Sequence, residues 1–414
     1  MSVANLETSA ALSLLNARAV RERAQRMLAI GLDDRLPNFR IHLERMDSAV
    51  DLVLQTTRKA YPSFEVPFHS RWRHFVANGD NRWADIADRI RWPDRAARAR
   101  AEFDLAIVSV FLDAGAGPSW RYHDPKTGSA IGRSEGLGLA SLAMFAAGAF
   151  SADPRDPLRA DAEVLANLSV ADLKRGLQVS DLNPLVGLEG RVDLLRRLGA
   201  LVASKPDVFG GFDRPRPGGL FDRLAIEADG LQLPAPAILS RLLQELGPIW
   251  PSRLTLGGIA LGDCWKHPAL ATMDATSGLM PLHKLSQWLA YSLIEPLQTA
   301  GIRVTDIDGL TGLAEYRNGG LFVDIGVLAF RDAEDAQREH EVASSLVVEW
   351  RALTVALLDR VADGLRQRLG LDATSLPLAK ILEGGTWAAG RLLARERRAD
   401  ASPPVKVISD GTVF

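Results

Sequence analysis

Four consecutive residues, Glu315, Tyr316, Arg317 and Asn318, set an acid, a phenol, a guanidinium and an amide between apolar segments, just ahead of Gly319 and Gly320. Burying such a group without partners is costly, so its place inside a core-forming stretch marks a candidate reaction centre. The alternative is an internal Glu315–Arg317 salt bridge that fixes a helix end. Upstream, Leu285, Trp288, Leu289, Ser292 and Leu293 recur at helical spacing, with Lys284, Gln287, Tyr291 and Glu295 beside the stripe. A polar turn with Asp306 and Asp308 follows that helix.

A second cluster brings His69, Arg71, Arg73 and His74 within six positions, after a proline-containing segment with alternating apolar residues. It reads either as a solvated basic turn or as a cradle for phosphate or carboxylate, since guanidinium forks match both anions. The third group lies on the best hairpin signal in the chain. Trp120–His123 and Ser129–Ile131 flank an Asp-Pro-Lys-Thr-Gly turn, which can present His123 and Asp124 to a cleft. Cys264 and His267 invite a metal, but no further cysteine or close histidine pair completes a zinc set, so no metal is expected.

The elements that must position these groups are mostly helices. Helical patterns cover residues 8–29, 39–60, 94–113, a segment opening at Asn183-Pro184, 237–246, 339–369 and 376–398. Pro296 is expected to bend or shorten its helix. Ser134-Glu135 opens a further helix rich in glycine and alanine, without the GxGxxG dinucleotide fingerprint. The tail from Ser402 to Phe414 is extended by its prolines and is expected to dock back on the body. The fold class is therefore mainly α, a multi-helix globular body with one or two short β-hairpins. Glycines and prolines between Lys205 and Gly219 suggest a soft boundary between an N-terminal part (1–204) and a C-terminal part (220–414), unless the two form one continuous domain.

Composition narrows the function class. The 414 residues are 47% hydrophobic and carry a formal net charge of -2, so no global field draws the protein to nucleic acid or anionic lipid. One cysteine excludes an intramolecular disulfide. The start lacks the charged-then-apolar order of a signal peptide, and no apolar run is long enough to span a bilayer. A soluble, cytoplasmic protein with neither nucleic-acid nor membrane partners is expected, and no cofactor.

Four stretches, VSDLNPLVGLEGRVDLLRRLG, WRYHDPKTGSAIGRSEGLGLASL, TGLAEYRNGGLFVDIGVL and SPPVKVISDGTVF, together resemble the uracil catabolism protein 4 family across nearly the whole chain. The central region is also similar to queuosine 5′-phosphate N-glycosylases, which are helical enzymes. Their Lys-x-x-Gln, Asp-Ile-Asp and Ala-Asp-Tyr-Arg motifs correspond in order to Lys284–Gln287, Asp306–Asp308 and Ala314–Arg317, with Glu315 in place of their aspartate. Arg121-Tyr122-His123-Asp124 loosely resembles their aromatic-Trp-Ser-Asp element.

These resemblances imply a helical glycosylase-like architecture and an N-glycosidase that releases urea from a ribosylurea phosphate. A phosphorylated riboside would be its small-molecule partner. Glu315 would stabilise the oxocarbenium-like transition state and activate water, and Lys284 would touch ribose or phosphate and keep Glu315 ionised. Arg317, with His69, Arg71 or Arg73, would clamp the phosphate, while Asp124 and Glu135 face the leaving group. Tyr316, Tyr122, His123, Gln287, Asp306 and Asp308 would complete the substrate contacts. The competing readings are a non-catalytic nucleotide-binding or scaffold protein and a uracil phosphoribosyltransferase-like enzyme.

Overall fold

Asn16 divides the first expected helix. Its side chain accepts from the Ala19 N–H, ending Val3–Ser13 (α1) and starting Ala17–Leu32 (α2). The computed structural model describes residues 3–113, 115–210, 214–250 and 254–408. Among them the fold is mainly α, with strands of two or three residues paired into seven small two-stranded ladders.

The expected helix over 39–60 resolves into a strand, Phe39–Ile41, a 3-10 turn and then Met46–Ala60 (α3). Arg95–Phe111 (α4) is buried without interruption from Phe103 onwards, a largely apolar run whose two polar side chains, Asp104 and Ser109, are hydrogen-bonded inside the protein. The hairpin forms between Arg121–His123 (β1) and Ala130–Gly132 (β2), and its return arm runs directly into Arg133–Ala146 (α5). Leu188–Ser204 (α6) starts four residues later than the Asn-Pro signal suggests, because Gly187 adopts a left-handed cap. After Ala235–Leu246 (α7), the helix Lys284–Thr299 (α8) keeps Pro296 in its last turn without ending there.

Tyr316–Asp324 (α9) is short and almost wholly buried. The long C-terminal pattern begins only at Ser345, where Ser344 caps Ser345–Leu369 (α10). The preceding residues Glu339–Glu341 form a strand (β3) instead. The last helical pattern is broken by one π turn, Leu382–Thr386, before Trp387–Arg397 (α11). Lys406–Ile408 (β4) lies parallel to β3, so the tail does return to the body through Ile408. Phe414 lies outside the described residues.

One buried apolar cluster draws residues from Leu15 in the N-terminal region to Val405 in the tail. At its centre the first half of α10 is buried on all sides. The described end of the Lys205–Gly219 connection is anchored to this body, since Arg216 pairs with Asp104 of α4 inside the protein. Residues 211–213 lie outside the described residues.

Helix α9 is held tightly where it crosses α11. Gly390 lies against the backbone carbonyl of Arg317, so that a Cβ there would overlap the oxygen. Gly390→Ala is therefore expected to lower stability by roughly 1–3 kcal/mol by forcing the helices apart. Chemical denaturation of the variant against the wild type measures this, and an unchanged midpoint would show that the crossing tolerates the methyl group.

Candidate active site

The carboxyl of Glu315 is fixed by the start of α9. Its two oxygens accept the backbone N–H groups of Arg317, at 2.7 Å, and Asn318. The residue thus caps a helix, but through the backbone and not through the Arg317 guanidinium. Carboxylates favour this position because the first N–H groups of a helix have no intrahelical partner. Burial raises the Glu315 pKa, outweighing the two N–H groups and the ammonium of Lys284, which pull it down. Such a carboxylate is a stronger base than one in water.

Lys284 opens α8, and its backbone N–H is capped by Asp263 at 2.9 Å. The fork of Arg351 grips Asp263 at 2.7 and 2.8 Å and holds its carboxyl far below the usual range, although burial acts the other way. The Lys284 ammonium has no hydrogen bond or ion pair among the described residues. Burial lowers its pKa, and the charge of Glu315 opposes that shift.

Both side chains line a cavity of about 390 Å³. Its wall also includes His69, His74, Asp113, Arg133 and Ser134, together with the rings of Trp288, Tyr316 and Trp387. The tail closes one side through Asp400–Pro403, Val405 and Val407. Arg317 reaches it by donating to the Ala401 carbonyl at 2.9 Å, its guanidinium 4.9 Å from the centre of the Tyr316 ring. Neither Arg317 nor Arg133 has a carboxylate partner among the described residues. The cavity therefore joins the buried Glu315 carboxylate, one ammonium, two available guanidiniums and three aromatic surfaces, beside Asp113, which is paired with Arg71, and Asp400.

Residues 13–414 match the family described as Protein of unknown function (DUF1688). The chain belongs to this family. It is 38% identical over 419 residues to Protein urg3 of Schizosaccharomyces pombe, covering 99% of this chain and 100% of that protein. It is 35% identical over 411 residues to Uracil catabolism protein 4 of Lachancea kluyveri, covering 91% of this chain and 92% of that protein. The resemblance carried by the four stretches thus extends over nearly the full length.

In this DUF1688 chain the cavity brings together Glu315, Lys284, Tyr316, Arg317 and His69 from the expected set. The other expected residues do not line it, and each has a physical reason. Asp124 is buried in the hairpin, where it pairs with Arg82 at 2.9 Å and binds Thr127 and Lys126 across the turn. Tyr122 is buried behind the same hairpin, and His123 is exposed with its backbone tied to Gln178. Glu135 pairs with Arg391, and Arg73 pairs with Glu295. Arg71 is wholly buried behind the wall, bound to Asp113 and Ser109.

Gln287 uses both ends of its amide on Thr311, pinning the segment that leads into Glu315. Asp308 binds Arg366 and the backbone of Leu378, and Asp306 is exposed in a left-handed turn. These groups support the site or lie outside it. No group of three or more metal-ligating side chains occurs among the described residues. No helix among them is long and apolar enough to cross a membrane.

Sequence reasoning missed Trp288, Arg133, Asp113 and the tail as lining elements. Only Trp288 carries a local signal, since it follows Lys284 by four residues and shares its helix face. The others reach the cavity through tertiary packing.

Proposed function

We propose that this protein hydrolyses the N-glycosidic bond of a ribosyl 5-phosphate in uracil catabolism, releasing urea from a ribosylurea phosphate. The observation that carries the reading is the convergence of Glu315 and Lys284 on a cavity whose two guanidiniums, Arg133 and Arg317, lack carboxylate partners among the described residues. The name of one relative, Uracil catabolism protein 4, supports the pathway, and the ordered Lys-x-x-Gln, Asp-Ile-Asp and Glu-Tyr-Arg motifs support the reaction class.

Breaking this bond builds positive charge on C1′ and the ring oxygen of the sugar. Glu315, buried and held by two N–H groups, places fixed negative charge against that developing cation. Its raised basicity also suits it to take a proton from the attacking water. Arg317 retains guanidinium donors beyond its single bond to Ala401, and with Arg133 it grips the 5′-phosphate. Lys284 sits between carboxylate and substrate, where it contacts a ribose hydroxyl or a phosphate oxygen. The rings of Trp288, Tyr316 and Trp387 confine the sugar and exclude water.

The test is to incubate purified protein with ribosylurea 5′-phosphate and measure urea and ribose 5-phosphate. Equimolar release of both is expected. Tight binding with no release would reject the hydrolase and favour a binding role.

A further inference from the structure

Two histidines in the cavity wall pack near Trp288, with ring centroids 6.4 Å (His69) and 5.5 Å (His74) from its indole. Their Nδ1 atoms face opposite charges. His74 Nδ1 lies 3.0 Å from Arg71 Nη1, and a guanidinium only donates, so Nδ1 accepts and the ring proton sits on Nε2. Burial and then Arg71 hold this imidazole neutral, its pKa pushed down to about 4. His69 is the reverse case. Its Nδ1 lies 2.7 Å from Oε2 of Glu383, and a carboxylate only accepts, so Nδ1 carries a proton and Nε2 is left for the cavity. The two side chains are only 11% and 17% exposed.

Glu383 reaches this position because it sits in the π turn Leu382–Thr386, a rare distortion that re-aims side chains and recurs at functional sites. The turn is seated against Thr57 and Val53 of α3 by Gly384 and Gly385, where added Cβ atoms would crowd both residues. The His69 backbone N–H donates to the Ala379 carbonyl at 2.9 Å, tying the histidine to the helix just before the turn. Tyr61 Oη donates to the other Glu383 oxygen at 3.4 Å. Three separate segments therefore build one oriented imidazole, whose charge also bears on Glu315.

We propose that His69, with Glu383 as its positioning residue, is the acid that protonates the departing nitrogen. This deepens the hydrolase reading and rests on it. Urea is a very poor leaving group as an anion, so the reaction needs such an acid, and the carboxyls of Asp124 and Glu135 are engaged elsewhere. The acid is the imidazolium form of His69, protonated on both ring nitrogens. As the C1′–N bond breaks, its electron pair stays on nitrogen, the Nε2 proton joins it, and the neutral ring keeps its Nδ1 proton, donated to Glu383. Water adds to C1′, and its proton passes through Glu315 to solvent while His69 is reprotonated. The sum is riboside plus water giving ribose 5-phosphate plus urea.

The experiment compares two substrates, ribosylurea 5′-phosphate and a 4-nitrophenyl riboside 5-phosphate, whose phenolate departs without a proton. His69→Ala is expected to slow urea release about 10²–10³-fold, yet slow nitrophenolate release less than about 10-fold. Glu383→Gln keeps a hydrogen-bond acceptor but removes the charge. It is expected to lower kcat on the urea substrate about 10-fold or more, with KM little changed. Equal losses on both substrates in His69→Ala, or a wild-type kcat in Glu383→Gln, would overturn the acid role while leaving the hydrolase intact. A wild-type protein that cleaves neither substrate would remove the hydrolase reading and the acid role with it.

Discussion

Glu315→Gln is expected to lower kcat for urea release by about 10²–10³-fold while ribose 5-phosphate still binds. The substitution is nearly isosteric, so the cavity keeps its shape and its guanidiniums. On the proposed hydrolase reading, what disappears is the negative charge opposite C1′ and the base for water. Its structural cost is small by comparison: glutamine can still accept one of the two N–H groups at the start of α9, and a weakened cap costs about 1 kcal/mol. Lys284 loses the carboxylate that opposes its downward shift, so its ammonium becomes less basic still. Steady-state kinetics, product binding by calorimetry and a melting curve separate these effects. A variant that retains wild-type kcat would remove Glu315 from the chemistry and leave it as a helix cap.

Arg71→Met is expected to destabilise the protein by about 3–5 kcal/mol, because it strands the Asp113 carboxylate, almost wholly buried in the cavity wall, without its partner. Arg71 is fully buried, lies 2.8 Å from Asp113, and also donates to Ser109 and to Ser134. Arg71 is the largest influence pulling the Asp113 carboxyl below its ordinary range against the cost of burial. Arg73→Met is the matched control, since its pair with Glu295 is partly exposed and is worth no more than about 1 kcal/mol. Guanidinium chloride midpoints of the two variants should differ clearly. Equal losses would mean that water reaches Asp113 in the variant and that the pair is not structurally decisive.

The contrast between Arg71 and Arg317 shows where local reading stops. Both are arginines next to an aromatic residue, Trp72 and Tyr316, and two residues or fewer from another candidate group. Arg71 meets Asp113 and Arg317 meets no carboxylate among the described residues, and nothing in either local sequence distinguishes them. Ion pairs of this kind join distant positions: Arg82 and Asp124 are 42 residues apart, and Arg391 and Glu135 are 256 apart. Whether a charged side chain is available to a ligand therefore depends on packing between elements. The π turn that aims Glu383 is likewise hidden within a helical pattern.

By itself the sequence determined the family, through the resemblance of four long stretches, and the mainly α body and the Asp-Pro-Lys-Thr-Gly hairpin, because periodicity and turn chemistry act over a few neighbouring residues. It also singled out Glu315 to Arg317, since polar groups stand out against a buried apolar background. The tertiary structure alone decided which of the candidate charges share a cavity and which neutralise one another. That choice is made by long-range contacts, where burial makes an unpaired charge costly and pairing removes it from solvent and substrate alike.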